Sequence, residues 1–251
     1  MHPLAAACAV LAAGAAANAT WPAVLDWDCA ETLDGCESAC YAAKMHLVPD
    51  VLAYDAHSEG WLARGRRSGA ELGLCNDSDL ARNPRHERVM HTNQYPPAST
   101  RQGGEGAVLR CVTLADKLGS DSLPLCDAAL GSGGLFYNYN MSDGDLFEVA
   151  IRNYAGIAYC PHGAALDDAP WEFKLKDGQV VDAWEPEHHR RDFANIFVHA
   201  SVGVNLREYE DEYGDRVLSL SRNATSSLVG RTISNGQRGL TIMKEILPQG
   251  K

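Results

Sequence analysis

The chain has 251 residues, with 22 basic against 33 acidic side chains and a formal net charge of −11. An acidic balance of this size repels phosphate backbones at long range, so any nucleic-acid contact has to come from a local basic patch. The length supports one large domain, or a domain with an appended piece, with a sizeable apolar core, which excludes a mini-protein held by disulfides alone.

Residues 4–17 are almost wholly Ala, Leu, Val, Cys and Gly, and no charged side chain precedes Asp26. The run is short for a membrane span and ends in Ala17-Asn18-Ala19, the A-x-A pattern of a signal-peptidase site. Residues 1–19 therefore read as a cleavable signal peptide. No later apolar run is long enough to cross a bilayer, so the expectation is a secreted, extracellular protein without a membrane contact after cleavage. Cys8 leaves with the leader, and seven cysteines remain: Cys29, Cys36, Cys40, Cys75, Cys111, Cys126 and Cys160. Their spread lacks the paired C-x-x-C steps of a zinc site, so disulfides are expected, and the odd number leaves one thiol over. Asn76, Asn140 and Asn223 each open an N-x-S/T triplet, an acceptor for a glycan in a eukaryotic host.

In chain order, residues 34–44 predict a short helix, with Asp34 as its cap and Glu37 three positions on. Cys36 and Cys40 then share one face and reach bridges to neighbouring elements rather than to each other. Residues 64–101 read as a loop-rich surface with seven arginines against four acids. Strands are expected at 108–114, at 135–139 and 146–151 around Ser142-Asp143-Gly144, and at 179–184, 196–206 and 216–221, with a hairpin tip in the acidic run 208–215. This pattern gives an α+β fold, a single strand-rich domain stabilised by disulfides. Glu185, Glu187, His188, His189 and Asp192 form a dense group, but their order matches no standard metal site. No nucleophile elbow, Walker loop, H-E-x-x-H or dinucleotide fingerprint is present.

The informative stretch is His91-Thr92-Asn93-Gln94-Tyr95-Pro96-Pro97-Ala98-Ser99-Thr100, then Gln102-Gly103-Gly104, then Arg110-Cys111-Val112. It resembles the secreted deoxyribonuclease family NucA/NucB, whose hallmark reads Cys-Asp-Glu-Tyr-Pro-(Pro or Phe)-Ala-Ser, followed by Glu-Gly-Gly and a strand with Arg-Cys-Val. Upstream, Cys36-Glu37-Ser38-Ala39-Cys40-Tyr41 is similar to the Cys-x-x-x-Cys-Tyr segment of fungal-type members, and Leu52-Ala53-Tyr54-Asp55 and Arg66-Arg67 also fit. The resemblance covers residues 29–160, and residues 161–251 then form a strand-rich extension packed on the same domain.

The resemblance implies a metal-dependent endonuclease without marked sequence preference, in which a carboxylate activates water and others hold Mg²⁺ or Mn²⁺ on the scissile phosphate. The sequence departs from the pattern at that chemistry. Asn93 stands at the family's Asp, Gln94 at its Glu, and Gln102 at the Glu before Gly-Gly. An amide takes no proton near neutral pH and brings no charge to a cation. These exchanges point to a member with impaired hydrolysis, a pseudoenzyme, with DNA as the implied partner. Asp116 is the surviving acidic counterpart and the one metal ligand the resemblance supplies. The alternatives are an active DNase in which His91, His86 and Asp116 take over the lost roles, and a secreted interaction protein with no catalysis. Arg85, Arg88, Arg101 and Arg110 are the candidate phosphate contacts. Thr92 stands where the family has Cys, which makes Cys111 the expected orphan thiol.

N-terminal sequencing of exported protein is expected to read Thr20 first. Exported material that still begins at Met1 would defeat the signal-peptide reading.

Overall fold

A computed structural model describes residues 22–45, 47–76, 91–121, 140–157, 159–160, 171–183, 206–221, 227–234 and 238–247. The leader 1–19, Arg85, His86, Arg88, Cys126, the strand expected at 135–139, the group at 185–192, nearly all of the strand expected at 196–206, and Asn223 lie outside these residues.

Eleven strands and three α-helices are described. In chain order they are β1 (Ala23–Asp28), α1 (Leu33–Lys44), β2 (Leu52–Ala53), α2 (Ser58–Ser68), β3 (His91–Tyr95), β4 (Val108–Val112), α3 (Leu114–Asp121), β5 (Leu146–Arg152), β6 (Phe173–Lys176), β7 (Gln179–Asp182), β8 (Arg207–Asp211), β9 (Arg216–Ser219), β10 (Thr232–Ser234) and β11 (Gly239–Ile246). Six of the strands close into a ring, β1-β10-β11-β8-β9-β5, because β1 pairs in parallel with both β10 and β5. Strand alternation sorts the side chains of this barrel. Val24, Ala150, Tyr209, Val217, Ile233, Leu240 and Ile242 fill one cluster, while their neighbours Leu25, Val149, Ile151 and Leu218 belong to another, packed with α1. A second, four-stranded sheet runs β3-β4-β6-β7. The α+β, strand-rich reading is thus met, and no helix among the described residues is long and apolar enough to cross a membrane.

Helix α1 lies between the two sheets, and every residue from Asp34 to Lys44 is buried. Small residues make that position available: Gly35, Ala39, Ala42 and Ala43 allow close approach, while Tyr41 packs edge-on against Tyr159 at 5.3 Å. Asp34 sits inside the first turn rather than at its cap, which is Thr32 without a side-chain cap bond. The expectation of an Asp34 cap is therefore corrected. Its carboxylate is drawn to Arg110 on β4, a stronger charge-assisted partner than a backbone amide.

The stretch 64–101 is also more ordered than its composition suggests. Helix α2 runs through residue 68 and ends on Gly69, whose φ of 86° suits a left-handed cap. Its buried anchor is Arg64, which donates through Nε to the Ala98 carbonyl at 2.6 Å and pairs with Asp55 at 2.6 Å. The Gln-Gly-Gly segment is fixed by close approach. A Cβ on Gly103 would lie 2.3 Å from the Pro97 carbonyl oxygen, so only glycine fits under the Pro97–Thr100 turn.

Three disulfides join Cys29 to Cys36, Cys40 to Cys160 and Cys75 to Cys111. Cys36 and Cys40 do bridge to different neighbours. Cys111 is not the orphan. Thr92 stands directly opposite it across the β3–β4 pair, and Cys75 fills the vacancy, its sulfur 3.3 Å from the Thr92 hydroxyl. Of the seven cysteines after Cys8, pairing of six leaves Cys126.

Peptide mapping without reduction is expected to recover these three links and one free thiol, at Cys126. Replacing Cys40 and Cys160 together by Ser opens a link between residues 120 apart. On the chain-entropy account that costs about 4–5 kcal/mol, read as a lower denaturation midpoint. A wild-type map with Cys111 free would reject the assignment.

Candidate functional site

The β3–β4 hairpin carries most of the motif residues, and its register decides which way each one faces. Asn93 pairs with Arg110, Gln94 with Leu109 and Thr92 with Cys111. Residues directly opposite on antiparallel strands project to the same side. Arg110 reaches α1, so Asn93 faces α1 as well, buried with 3% of its surface exposed. Thr92 and Gln94 face the other way, into an open cleft of about 480 Å³. The two adjacent motif positions, 93 and 94, therefore look out on opposite faces of one strand.

On the α1 face, Arg110 is 1% exposed and binds Asp34 at 3.3 Å, Glu37 at 3.2 Å and Glu172 at 2.5 Å. Ser38 donates a further bond to Glu172 at 2.9 Å. Three carboxylates confront one guanidinium. Burial pushes the Glu172 carboxyl up to about 7, against the pull of Arg110 and Ser38. Burial alone would lower Arg110, but Glu172, Glu37 and Asp34 together hold it above its ordinary value. The expectation that Arg110 contacts phosphate is corrected: its guanidinium is spent on these acids in the interior.

On the cleft face, Gln94 is held at both ends of its amide. Its Oε1 accepts from Ser68 at 2.7 Å, and its Nε2 donates to the Pro96 carbonyl at 3.2 Å. A carboxylate has no proton to give Pro96, so this site is built for an amide. Gln102 is likewise occupied, accepting the Ala53 amide at 2.9 Å. Asp116 is buried in the first turn of α3, where its amide donates to Thr113 Oγ1 at 3.1 Å, and α3 packs against β3. The next residue, Lys117, lines the cleft together with His91, Trp61 and Asn76.

The residues at the positions where the resemblance implies metal ligands do not fit a divalent cation. Asn93, Gln94 and Gln102 carry no charge, the last two each have one oxygen lone pair already engaged, and only Asp116 supplies an anion. Elsewhere, Asp55, His57 and Asp143 bring ligand atoms within 4.8 Å of one another. There the carboxylates already serve Arg64, at 2.6 Å, and Arg101, at 2.9 Å. Burial would raise the Asp55 carboxyl, but the His57 amide and Arg64 hold it below its ordinary value. Arg101, the one described candidate phosphate contact at the surface, is half exposed beside Asp143. Lys117 and Trp61 are cleft residues the sequence reading missed. Thr113-x-x-Asp116, a capping signature that starts α3, was the signal that would have located Lys117. Of the two surface sequons described, Asn76 and Asn140 are both exposed.

A family model, Deoxyribonuclease NucA/NucB, matches residues 39–150. No curated protein and no solved structure matches the chain.

Glu172 gives a pH dependence with a definite sign. Its carboxyl titrates near 7 when folded against 4.5 ordinarily, so the folded protein holds an extra proton between those values. Stability from this group is complete below about 4.5 and is lost as pH rises toward 7. Glu172→Gln is expected to remove that loss, so the melting temperature of the variant relative to wild type climbs from pH 4.5 to pH 7. A flat difference would mean that Glu172 stays ionised throughout.

Proposed function

Because residues 39–150 place this chain in the NucA/NucB deoxyribonuclease family, we propose that it is a secreted nuclease-fold protein that binds DNA but hydrolyses it poorly or not at all. The observation that carries this reading is Asn93. It stands at the family's Asp, is buried, and lies beside a cluster where three carboxylates already share one arginine. A water-activating group needs ionisable oxygen within reach of substrate. Asn93 has neither the ionisation nor the access. An aspartate there would add a fourth carboxylate to a buried acidic group, so the amide relieves repulsion that an acid would create. Gln94 and Gln102 have taken up backbone partners that stabilise the turn and β2 in place of holding a cation.

A second reading, residual catalysis with a relocated base, is favoured by one feature: His91 and Lys117, the neighbour of Asp116, line the same cleft. In that case Mg²⁺ or Mn²⁺ would be required, with His91 as the base.

Plasmid nicking with added Mg²⁺ or Mn²⁺ separates the two. Loss of a general base alone slows hydrolysis by ~10²–10⁴-fold, and wild-type protein is expected to show at least that deficit against an active family member. The double variant Asn93→Asp, Gln94→Glu is expected to lose on the order of 1–3 kcal/mol of stability at each buried site and to recover little cleavage. Robust metal-dependent nicking by the wild type, abolished by His91→Ala and kept in Asn93→Ala, would establish the second reading instead.

A further inference from the structure

We infer that the cleft between α2 and β3 takes an unpaired nucleobase of a single-stranded nucleic acid. This rests on the DNA-binding reading and narrows it to one form of the ligand. The volume of about 480 Å³ is in the range of small-molecule sites. One wall is aromatic. Trp61 packs against the core and lines the cleft, with its indole Nε1 donating to the Asp55 carbonyl at 2.6 Å, which fixes the ring plane. Leu62 and Pro97 extend the apolar surface on either side.

The rest of the lining suits the edge of a base. Gln94 uses one N–H on Pro96 and one lone pair on Ser68, so one N–H and one lone pair of an amide that lines the cleft remain for a ligand. Asn76, which is exposed, adds a second amide to the lining. Amide pairs of this kind match the mixed donor and acceptor edge of a nucleobase. Lys117 also lines the cleft, and the acid in the lining, Glu71, is tied to Arg66 at 3.2 Å. In a duplex the face and the pairing edge of a base are both hidden, so only an unpaired base offers the two together.

Binding of labelled oligothymidylate and of an abasic strand of equal length, followed by fluorescence anisotropy at low salt, tests the inference. The base-bearing strand is expected to bind on the order of tenfold more tightly, the usual worth of one stacked base. Trp61→Ala should abolish the difference, and Trp61→Phe, which loses the same Nε1 bond but keeps a ring face, should retain most of it. Equal binding of the two strands by wild-type protein overturns the inference and leaves the DNA-binding reading intact. Failure of both strands and of duplex DNA to bind would overturn the two together. The wild-type comparison needs no variant, so it stands even if Trp61→Ala does not fold.

Discussion

Helix α1 is buried on every side, and the charge of Asp34 and Glu37 inside it is the constraint the rest of the structure has to meet. An isolated carboxylate in an apolar interior costs several kcal/mol, and a buried arginine repays that only with close, multiple contacts. Arg110 provides them, holding two acids from α1 and a third, Glu172, from the lead into β6. Arg110 lies within the family-matched segment 39–150, while its three partners lie on either side of that segment. The guanidinium therefore ties three stretches of chain together at one point. The pairing of Phe173 with Leu109 continues that tie into the second sheet, where β6 and β7 pack beside the motif hairpin.

The same cluster sets the surroundings of Asn93. Asn93 is the cross-strand neighbour of Arg110, within the reach at which paired side chains interact. Its environment already holds more carboxylates than cations, and a neutral amide there costs less than an acid. At Gln94 the argument is different but points the same way, because the Pro96 carbonyl needs a donor. The amide at each of these positions therefore has a structural stabilisation of its own.

How much of this was legible in the sequence depends on the kind of interaction. Helix α1 and strands β4, β5, β7 and β9 are visible because their apolar spacing and turn residues act locally, whereas β3 falls in a stretch whose composition reads as loop and β8 in the acidic run that reads as a hairpin tip. Helix α2 was not, because its buried anchor is Arg64, a residue that composition assigns to the surface and that only a partner nine positions back, Asp55, brings inside. The closed ring was not legible either, since it depends on parallel pairing of β1 with strands far along the chain. Cys111 was misjudged for a related reason. The resemblance indicates a missing cysteine at Thr92, but only the fold shows that Cys75 has come to stand against that threonine.

Strand alternation then separates two properties that a motif read along the chain runs together. Within β3, Asn93 turns toward α1, while its neighbours Thr92 and Gln94 turn toward the cleft. Residue 93 can be substituted without changing a side chain that lines the cleft. The binding proposed for the cleft face therefore does not depend on the residue at position 93. The overall charge of −11 sets the terms for such binding. With long-range attraction absent, affinity has to come from short-range stacking and hydrogen bonds, which favours a ligand that inserts a flat, polar-edged group over one that lies along the surface as a rod of phosphates.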